Sequence, residues 1–374
     1  MTGPADVWDV VVVGAGPAGA AAARAAASSG ARTLLLEKAS LPRYKRCGGG
    51  LIGPAQRALA DAGLDLTRLA RDHVGRVTFT SGGRRGFSRS AGAFLPMVLR
   101  SELDHALVGL AVAAGAVLRT GVTVGAYGEN GGVVTLRTSH GPLWARAVVA
   151  ADGAAGRAAS YVGVVCEQVD IGLEAELPTP PGSDWDGHVL LDWGPVPGSY
   201  GWVFPKGDTL TVGVIGPRSD GEAVRDYYVS FLDRLGLDRA TALHDGGHQT
   251  RVRAAGSPLR RGQVLVAGDA AGLLEPWTRE GISFALRSGR LAGLAAVGDA
   301  SSYEAAVEAE LGAEVAAGRR ALAAFTRHPG VVHAVMRWLP PMWPLFVDLV
   351  SGRTTMAEQL GRRRVRLLVA AVGG

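Results

Sequence analysis

Lysine is nearly absent from this 374-residue chain: Lys38, Lys45 and Lys206 are the only three, so arginine carries the formal charge of +5. The basic residues are scattered, and neither a zinc-finger spacing nor an aromatic RNA-recognition motif accompanies them, which argues against a nucleic-acid partner. An arginine bias beside abundant alanine and 54 glycines fits GC-rich coding better than a nucleic-acid surface. Cysteine is as scarce. Cys47 and Cys166 cannot build a disulfide framework and fit a reducing compartment. The first residues show no basic segment followed by an apolar run and a cleavage site, so a cytoplasmic protein without a secretory signal is expected. No metal-ligand spacing is present, and no metal site is expected. Charged residues at 20% and hydrophobic residues at 47% exclude a disordered chain. The glycines follow no G-X-Y period. The apolar stretch from Val10 to Ala27 is interrupted by spaced glycines and turns alanine-rich, which reads as a buried strand and a helix rather than a membrane span.

What is present begins with that strand. Asp9 to Val13 is a compact β-branched run leading into Gly14-Ala15-Gly16-Pro17-Ala18-Gly19, a G-x-G-x-x-G segment. An alanine-rich helix follows to Ser29-Gly30, then a second buried strand, Thr33 to Leu36, ending in Glu37. Gly14 permits a tight turn, Gly16 lets a pyrophosphate approach the backbone, and Gly19 allows the helix to pack on the strand. The helix start, at Pro17 and Ala18, offers free N–H groups and a positive dipole to phosphate. Glu37 can accept hydrogen bonds from a ribose hydroxyl, and an acid there favours a ribose without a 2′-phosphate. The pattern predicts a dinucleotide site but does not separate FAD from NAD.

Further segments decide between them. Val148 to Gly153 is a strand ending in Asp152-Gly153, and Val264 to Gly272 is a strand ending in Gly268-Asp269 that is expected to open a helix. With the first fingerprint these resemble the three signatures of the para-hydroxybenzoate hydroxylase-like flavoproteins. Four more segments resemble the geranylgeranyl reductase family: Pro42 to Leu51 (PRYKRCGGGL), Val98 to Asp104, Tyr200 to Lys206 (YGWVFPK), and Gly268 to Gly289 with its Pro276-to-Ile282 loop. The resemblance extends to about residue 290. It implies FAD as cofactor, held by Gly14, Gly16, Pro17, Ala18, Gly19, Glu37, Lys38, Arg46, Cys47, Gly48, Gly49, Arg100, Asp152, Gly153, Gly268, Asp269, Gly281 and Ile282. It implies a substrate side formed by Gly50, Tyr200, Trp202, Phe204, Pro205, Lys206 and Arg279. Tyr200, Trp202 and Phe204 alternate along a strand and so share one face, either an aromatic wall for a prenyl chain or a packed sheet face. Cys47 is a candidate proton donor, and otherwise a small buried hydrophobe. Two departures from the family pattern stand out. Arg279 occupies a position where the family often has glycine, which suggests either a more polar loop over the flavin or contact with an anionic head group, and Ala154-Ala155-Gly156-Arg157 shortens the segment after Asp152-Gly153.

The implied architecture is an α/β, Rossmann-like FAD-binding domain (residues 1–75, 96–162 and 255–300). An inserted antiparallel-sheet substrate domain (76–95 and 163–254) and a C-terminal helical segment (301–374) complete it. A helix is expected over Ala223 to Leu235 and another over Ala305 to Phe325. The apolar stretch from Val331 to Val350 is broken by Pro340, Pro341 and Pro344 and cannot span a membrane. It could cap an apolar cavity or touch a bilayer, as could the terminal run Arg362-Arg363-Arg364-Val365-Arg366, whose alternative is a solvated helix face. The expected reaction is hydride transfer from reduced flavin to a C=C bond of an isoprenoid: geranylgeranyl diphosphate, a geranylgeranyl lipid or a menaquinone side chain. Rival readings are an aromatic hydroxylase or epoxidase using O₂, and a non-catalytic lipid carrier with a flavin fold. A halogenase is disfavoured because no W-x-W-x-I-P segment occurs. The electron donor, NAD(P)H or a reduced carrier protein, and the oligomeric state stay open.

Overall fold

The structure, a computed structural model, describes residues 6–362. It grows from β1 (Val7–Val13), whose Val10, Val11 and Val12 are fully buried, as expected of a strand covered on both faces. α1 (Pro17–Ser28), β2 (Thr33–Leu36), α2 (Gly53–Asp61) and α3 (Leu66–Leu69) follow. β3 (Ala70–Ser81) and β4 (Arg84–Val98) then leave for a second sheet. The chain returns through α4 (Arg100–Ala113), β5 (Val117–Arg119), β6 (Val124–Asn130), β7 (Val133–Thr138), β8 (Gly141–Ala150) and α5 (Ala158–Val162). A longer excursion carries β9 (Cys166–Pro178), β10 (His188–Trp193), β11 (Tyr200–Lys206), β12 (Thr209–Pro217), α6 (Gly221–Leu235) and β13 (His244–Arg253). β14 (Arg260–Arg261), β15 (Val264–Val266) and α7 (Ile282–Val297) complete the first layer. α8 (Tyr303–Arg327), α9 (Pro329–Trp338), α10 (Met342–Val350) and α11 (Met356–Gly361) then form the C-terminal helices.

The first sheet has the order β14-β15-β8-β1-β2-β5, with β7 joining the β6–β7 hairpin to β8. β1 is parallel to both β2 and β8, so the chain winds outward from β1 in two directions. Open sheets of this kind bind ligands where the order reverses, outside the carboxyl ends of the strands. Glycine brings the helices close to this layer. A Cβ on Gly19 would lie 1.7 Å from the Gly14 carbonyl oxygen, and Cβ atoms on Gly289 and Gly293 of α7 would lie 2.1 and 2.3 Å from the Ala18 and Ala22 carbonyls of α1.

The second sheet has the order β13-β9-β12-β11-β10-β3-β4. Five of its six junctions are antiparallel; β3 and β10 run parallel. The expected antiparallel sheet is present, and the parallel junction of β3 with β10 is its one exception. β3 and β10 come from separate excursions of the chain, so no hairpin dictates their direction, and alternation along a strand says nothing about its partner. The expected boundary at residue 76 falls inside β3. Phe325 of α8 and Val347 and Val350 of α10 pack with Val77, Phe79 and Phe94 over one face of this sheet. Among the described residues no helix is long and apolar enough to cross a membrane. The arginine run beyond Arg362 lies outside the described residues.

Candidate active site

Four strand ends of the first sheet converge on one crevice. At the end of β1, Gly14 adopts φ +96° and donates its N–H to the Leu36 carbonyl at 2.7 Å. A Cβ there would lie 2.3 Å from the Ala151 carbonyl oxygen, so the turn admits only glycine. A Cβ on Gly16 would meet nothing nearer than the Arg43 guanidinium at 3.8 Å, which leaves this backbone open to the crevice. Pro17 opens α1, and no side chain caps the helix, so its first N–H groups are free for an anion. At the end of β2, Glu37 is 4% exposed; its Oε2 accepts from Ala15 N–H at 2.9 Å and its Oε1 from Ala39 N–H at 3.1 Å. The carboxylate thus braces the turn.

At the end of β8, Asp152 Oδ2 accepts from the N–H groups of Arg157 and Ala158 at 2.8 and 3.3 Å, capping α5. Its Oδ1 is buried without a partner. Beside it Gly153, at φ +78°, has nothing within 4 Å of a Cβ position. At the end of β15, Asp269 faces the crevice with no hydrogen-bond partner for its carboxylate among the described residues; burial raises its pKa, and Lys45 and Arg100 oppose the rise. Gly268 to Ala271 form a 3-10 turn rather than the start of the expected helix. Gly272 at φ +64° ends that turn, and α7 begins only at Ile282, with Gly281 as its N-cap.

The segment from Pro42 to Gly50 lies across this crevice. Arg43 and Arg100 converge on buried Asp104, at 3.1 Å from Arg43 Nη1 and 2.8 Å from Arg100 Nε. Arg100 also lies beside the Cys47 side chain. Lys206 Nζ donates to the Cys47 carbonyl at 3.0 Å, and burial lowers its pKa. A Cβ on Gly48 would lie 2.6 Å from the Phe204 ring, so the glycines let the loop rest on the aromatic strand.

The crevice continues into a chamber against the second sheet, and together they enclose about 1310 Å³. A single drug-sized ligand occupies less than that. Tyr200, Trp202 and Phe204 all line it, with ring centroids 5.9 and 6.1 Å apart in succession. Phe79, Phe94, Trp193, Met336 and Phe346 extend its apolar wall. Gly14, Gly16, Pro17, Ala18, Glu37, Lys38, Arg46 to Gly50, Arg100, Asp152, Gly153, Asp269, Arg279, Gly281 and Ile282 also line the combined cavity. Gly19, Pro205, Lys206 and Gly268 do not: Gly19 packs under Gly14, Pro205 points away from the alternating face, and Lys206 supports the loop from behind.

Of the two expectations for Arg279, contact with an anionic head group is disfavoured, because its charge is already paired within the fold. Its Nε pairs with Asp170 at 3.0 Å, both side chains being 3% exposed, and its Nη1 donates to the Trp277 carbonyl at 2.6 Å.

Three cavity groups went unnoticed in the sequence. Glu280 anchors the start of α7, its Oε1 accepting from Ser283 N–H at 2.7 Å, and burial raises its pKa to about 7. Glu174 has both carboxyl oxygens buried without partners, and burial pushes its pKa up. His248 is driven down to about 4, first by burial and then by Lys45, Arg46 and Arg100. The available signal was glycine inside strands, which marks close approach. Gly172 makes room for the His248 ring, Gly213 for Trp202 and Glu174, and Gly246 for Arg46.

Comparison with known proteins places this geometry. A model of the FAD binding domain matches residues 7–180. Digeranylgeranylglycerophospholipid reductase 1 of Methanopyrus kandleri is 32% identical over 330 residues, covering 78% of this chain and 80% of that protein. Menaquinone reductase of Mycobacterium tuberculosis is 30% identical over 318 residues, 77% of this chain and 76% of that one. The chain belongs to the geranylgeranyl reductase family of FAD-dependent oxidoreductases. The crystal structure of a geranylgeranyl bacteriochlorophyll reductase-like protein from Thermoplasma acidophilum superposes with a TM-score of 0.75 at 22% identity, covering 98% of this chain and 96% of that one, and shows the same fold. FAD is the cofactor of this reductase-family enzyme, and the crevice fits it. The Gly14–Gly16 cradle and α1 suit the pyrophosphate, Glu37 a ribose, and the unpartnered Asp269 carboxylate the ribityl hydroxyls.

Proposed function

We propose that this flavoprotein saturates C=C bonds of an isoprenoid, the substrate being geranylgeranyl diphosphate, a geranylgeranyl lipid or the prenyl side chain of a menaquinone. The observation that carries this reading is the aromatic and aliphatic chamber continuous with the cofactor crevice. The names of the two relatives, a geranylgeranyl-lipid reductase and a menaquinone reductase, support the same substrate class. Reduced FAD, when bound, supplies the hydride for one alkene carbon. The chain's own residues orient the alkene and exclude water: Tyr200, Trp202 and Phe204 form one wall, and Tyr200 Oη is fixed by donating to the Thr278 carbonyl at 2.5 Å. The other alkene carbon needs a proton. Glu280, with its pKa raised to about 7, holds one near neutral pH at a carboxyl that lines the cavity, and Cys47 is a second candidate donor on the cavity wall.

Peripheral membrane contact belongs to the same proposal. Trp338 is 72% exposed at the corner between α9 and α10, helices whose inner residues Met336 and Phe346 line the chamber. The test is mass spectrometry of prenyl substrates incubated with the holoenzyme and chemically reduced flavin, with and without oxygen. Products heavier by about two mass units per bond, formed without oxygen, establish alkene reduction. Products heavier by about sixteen, formed only with oxygen and NAD(P)H, overturn it in favour of a monooxygenase.

A further inference from the structure

Arg279 stands out in the backbone. Among the described residues only it and Arg85 combine a side chain with positive φ, and Arg85 is an exposed residue at the start of β4. At φ +57°, Arg279 holds a conformation suited to glycine, and a residue kept there must be fixed by its surroundings. Three contacts fix it: the buried ion pair with Asp170, the bond to the Trp277 carbonyl, and the Tyr200 ring, whose centroid lies 5.6 Å from the guanidinium carbon. Gln168 secures the far side, its Nε2 donating to Asp170 Oδ2 at 2.6 Å and to the Pro276 carbonyl at 2.9 Å.

What this arrangement separates is visible in the cavities. Behind Arg279 lies a second cleft of about 660 Å³, lined by Val169, Pro197, Pro217 and Leu322 and by exposed Arg218 and Ser219 at its mouth. Arg279 is the one described residue that lines both this cleft and the main cavity. The guanidinium is consumed by Asp170, so the side chain offers the chamber bulk rather than free charge.

We propose that Arg279 is a specificity-determining plug that closes the chamber at its Tyr200–Trp277 end and limits the length of the apolar chain it accepts. This inference rests on the isoprenoid reading above. Glycine at this position would suit the backbone and join the chamber to this cleft, which is open to solvent and about half the volume of crevice and chamber combined. A chain too long for the closed chamber then has somewhere to go.

The test measures binding rather than turnover. Fully saturated prenyl alcohols of increasing length, which cannot be reduced, are titrated into the holoenzyme and followed by perturbation of the flavin absorbance. Wild-type affinity is expected to rise with each prenyl unit and then fall once the chain outgrows the chamber. In Arg279→Gly with Asp170→Asn, which removes the plug without leaving a buried unpaired carboxylate, that fall moves by at least one prenyl unit. The first alcohol rejected by the wild type then binds about tenfold more tightly. Arg279→Met with Asp170→Asn removes the charge but keeps the bulk, and retains the wild-type limit. Retained flavin and circular dichroism verify that both variants are folded. An unmoved limit in the glycine variant, or the same displacement in the methionine variant, overturns the plug while leaving the isoprenoid reading intact. If the wild type binds no prenyl alcohol of any length, the isoprenoid reading fails and the plug with it.

Discussion

Replacing Glu280 with glutamine should change how stability depends on pH, in a direction and by an amount that follow from its position. Burial is the largest cause raising its carboxyl from 4.5 to about 7; the bonds from Ser283 oppose the rise, and Glu275 and Glu314 add to it. Below the unfolded value both states hold the proton and Glu280 costs nothing. Between the two values the folded protein binds more protons than the unfolded chain, so stability falls as pH rises, and the loss is complete above the folded value. At about 1.4 kcal/mol per pH unit, the full penalty across that interval is about 3 kcal/mol. Glutamine keeps an oxygen for Ser283 N–H, the bond that holds the start of α7, but cannot ionise. The assay is urea unfolding of both holoproteins at fixed excess FAD, because ligand concentration shifts apparent stability. From about pH 5 to about pH 8 the variant should gain about 2 to 3 kcal/mol relative to wild type. A difference that stays constant within about 0.5 kcal/mol over that range would refute a neutral, buried Glu280 and remove it as a proton source for the alkene.

His248 gives the opposite sign. Its pKa, lowered from 6.5 to about 4, means that the unfolded chain takes up the proton first, so stability is lost as pH falls through that interval. Nitrogen chemical shifts of the labelled ring should report a neutral imidazole at about pH 6, and titration near its ordinary value would contradict the burial and cation field assigned to it. Gly289→Ala places a methyl 2.1 Å from the Ala18 carbonyl and must push α7 off α1. The expected loss is about 1–3 kcal/mol in unfolding experiments, together with weaker FAD binding because Ala18 lies in the first turn of α1. Wild-type stability and affinity in this variant would show that the two helices are not in the contact described.

How much of this was readable in the chain depends on how far apart the partners lie. The crevice was readable because each of its parts is local: a strand, a glycine turn, a helix and an acid between Asp9 and Glu37, then two short strand ends at Asp152 and Asp269. Side-chain alternation likewise put Tyr200, Trp202 and Phe204 on one face without knowledge of their neighbours. The direction of β3 against β10 was not readable, because the pairing joins Val77 to Val189 across more than a hundred residues. The polar floor of the chamber was hidden for the same reason. Gly213 stands opposite both Trp202 and Glu174 through registers set by three strands, and His248 stands opposite Gly172. Arg279 shows the limit most sharply. Its residue type was visible and invited pairing with a ligand anion, yet its partner Asp170 lies 109 residues earlier in the chain. A lone arginine in a loop near a cofactor is an open positive charge only until the fold supplies a carboxylate. Once it does, the same side chain becomes a charge-compensated piece of wall, and its chemistry passes from recognition to shape.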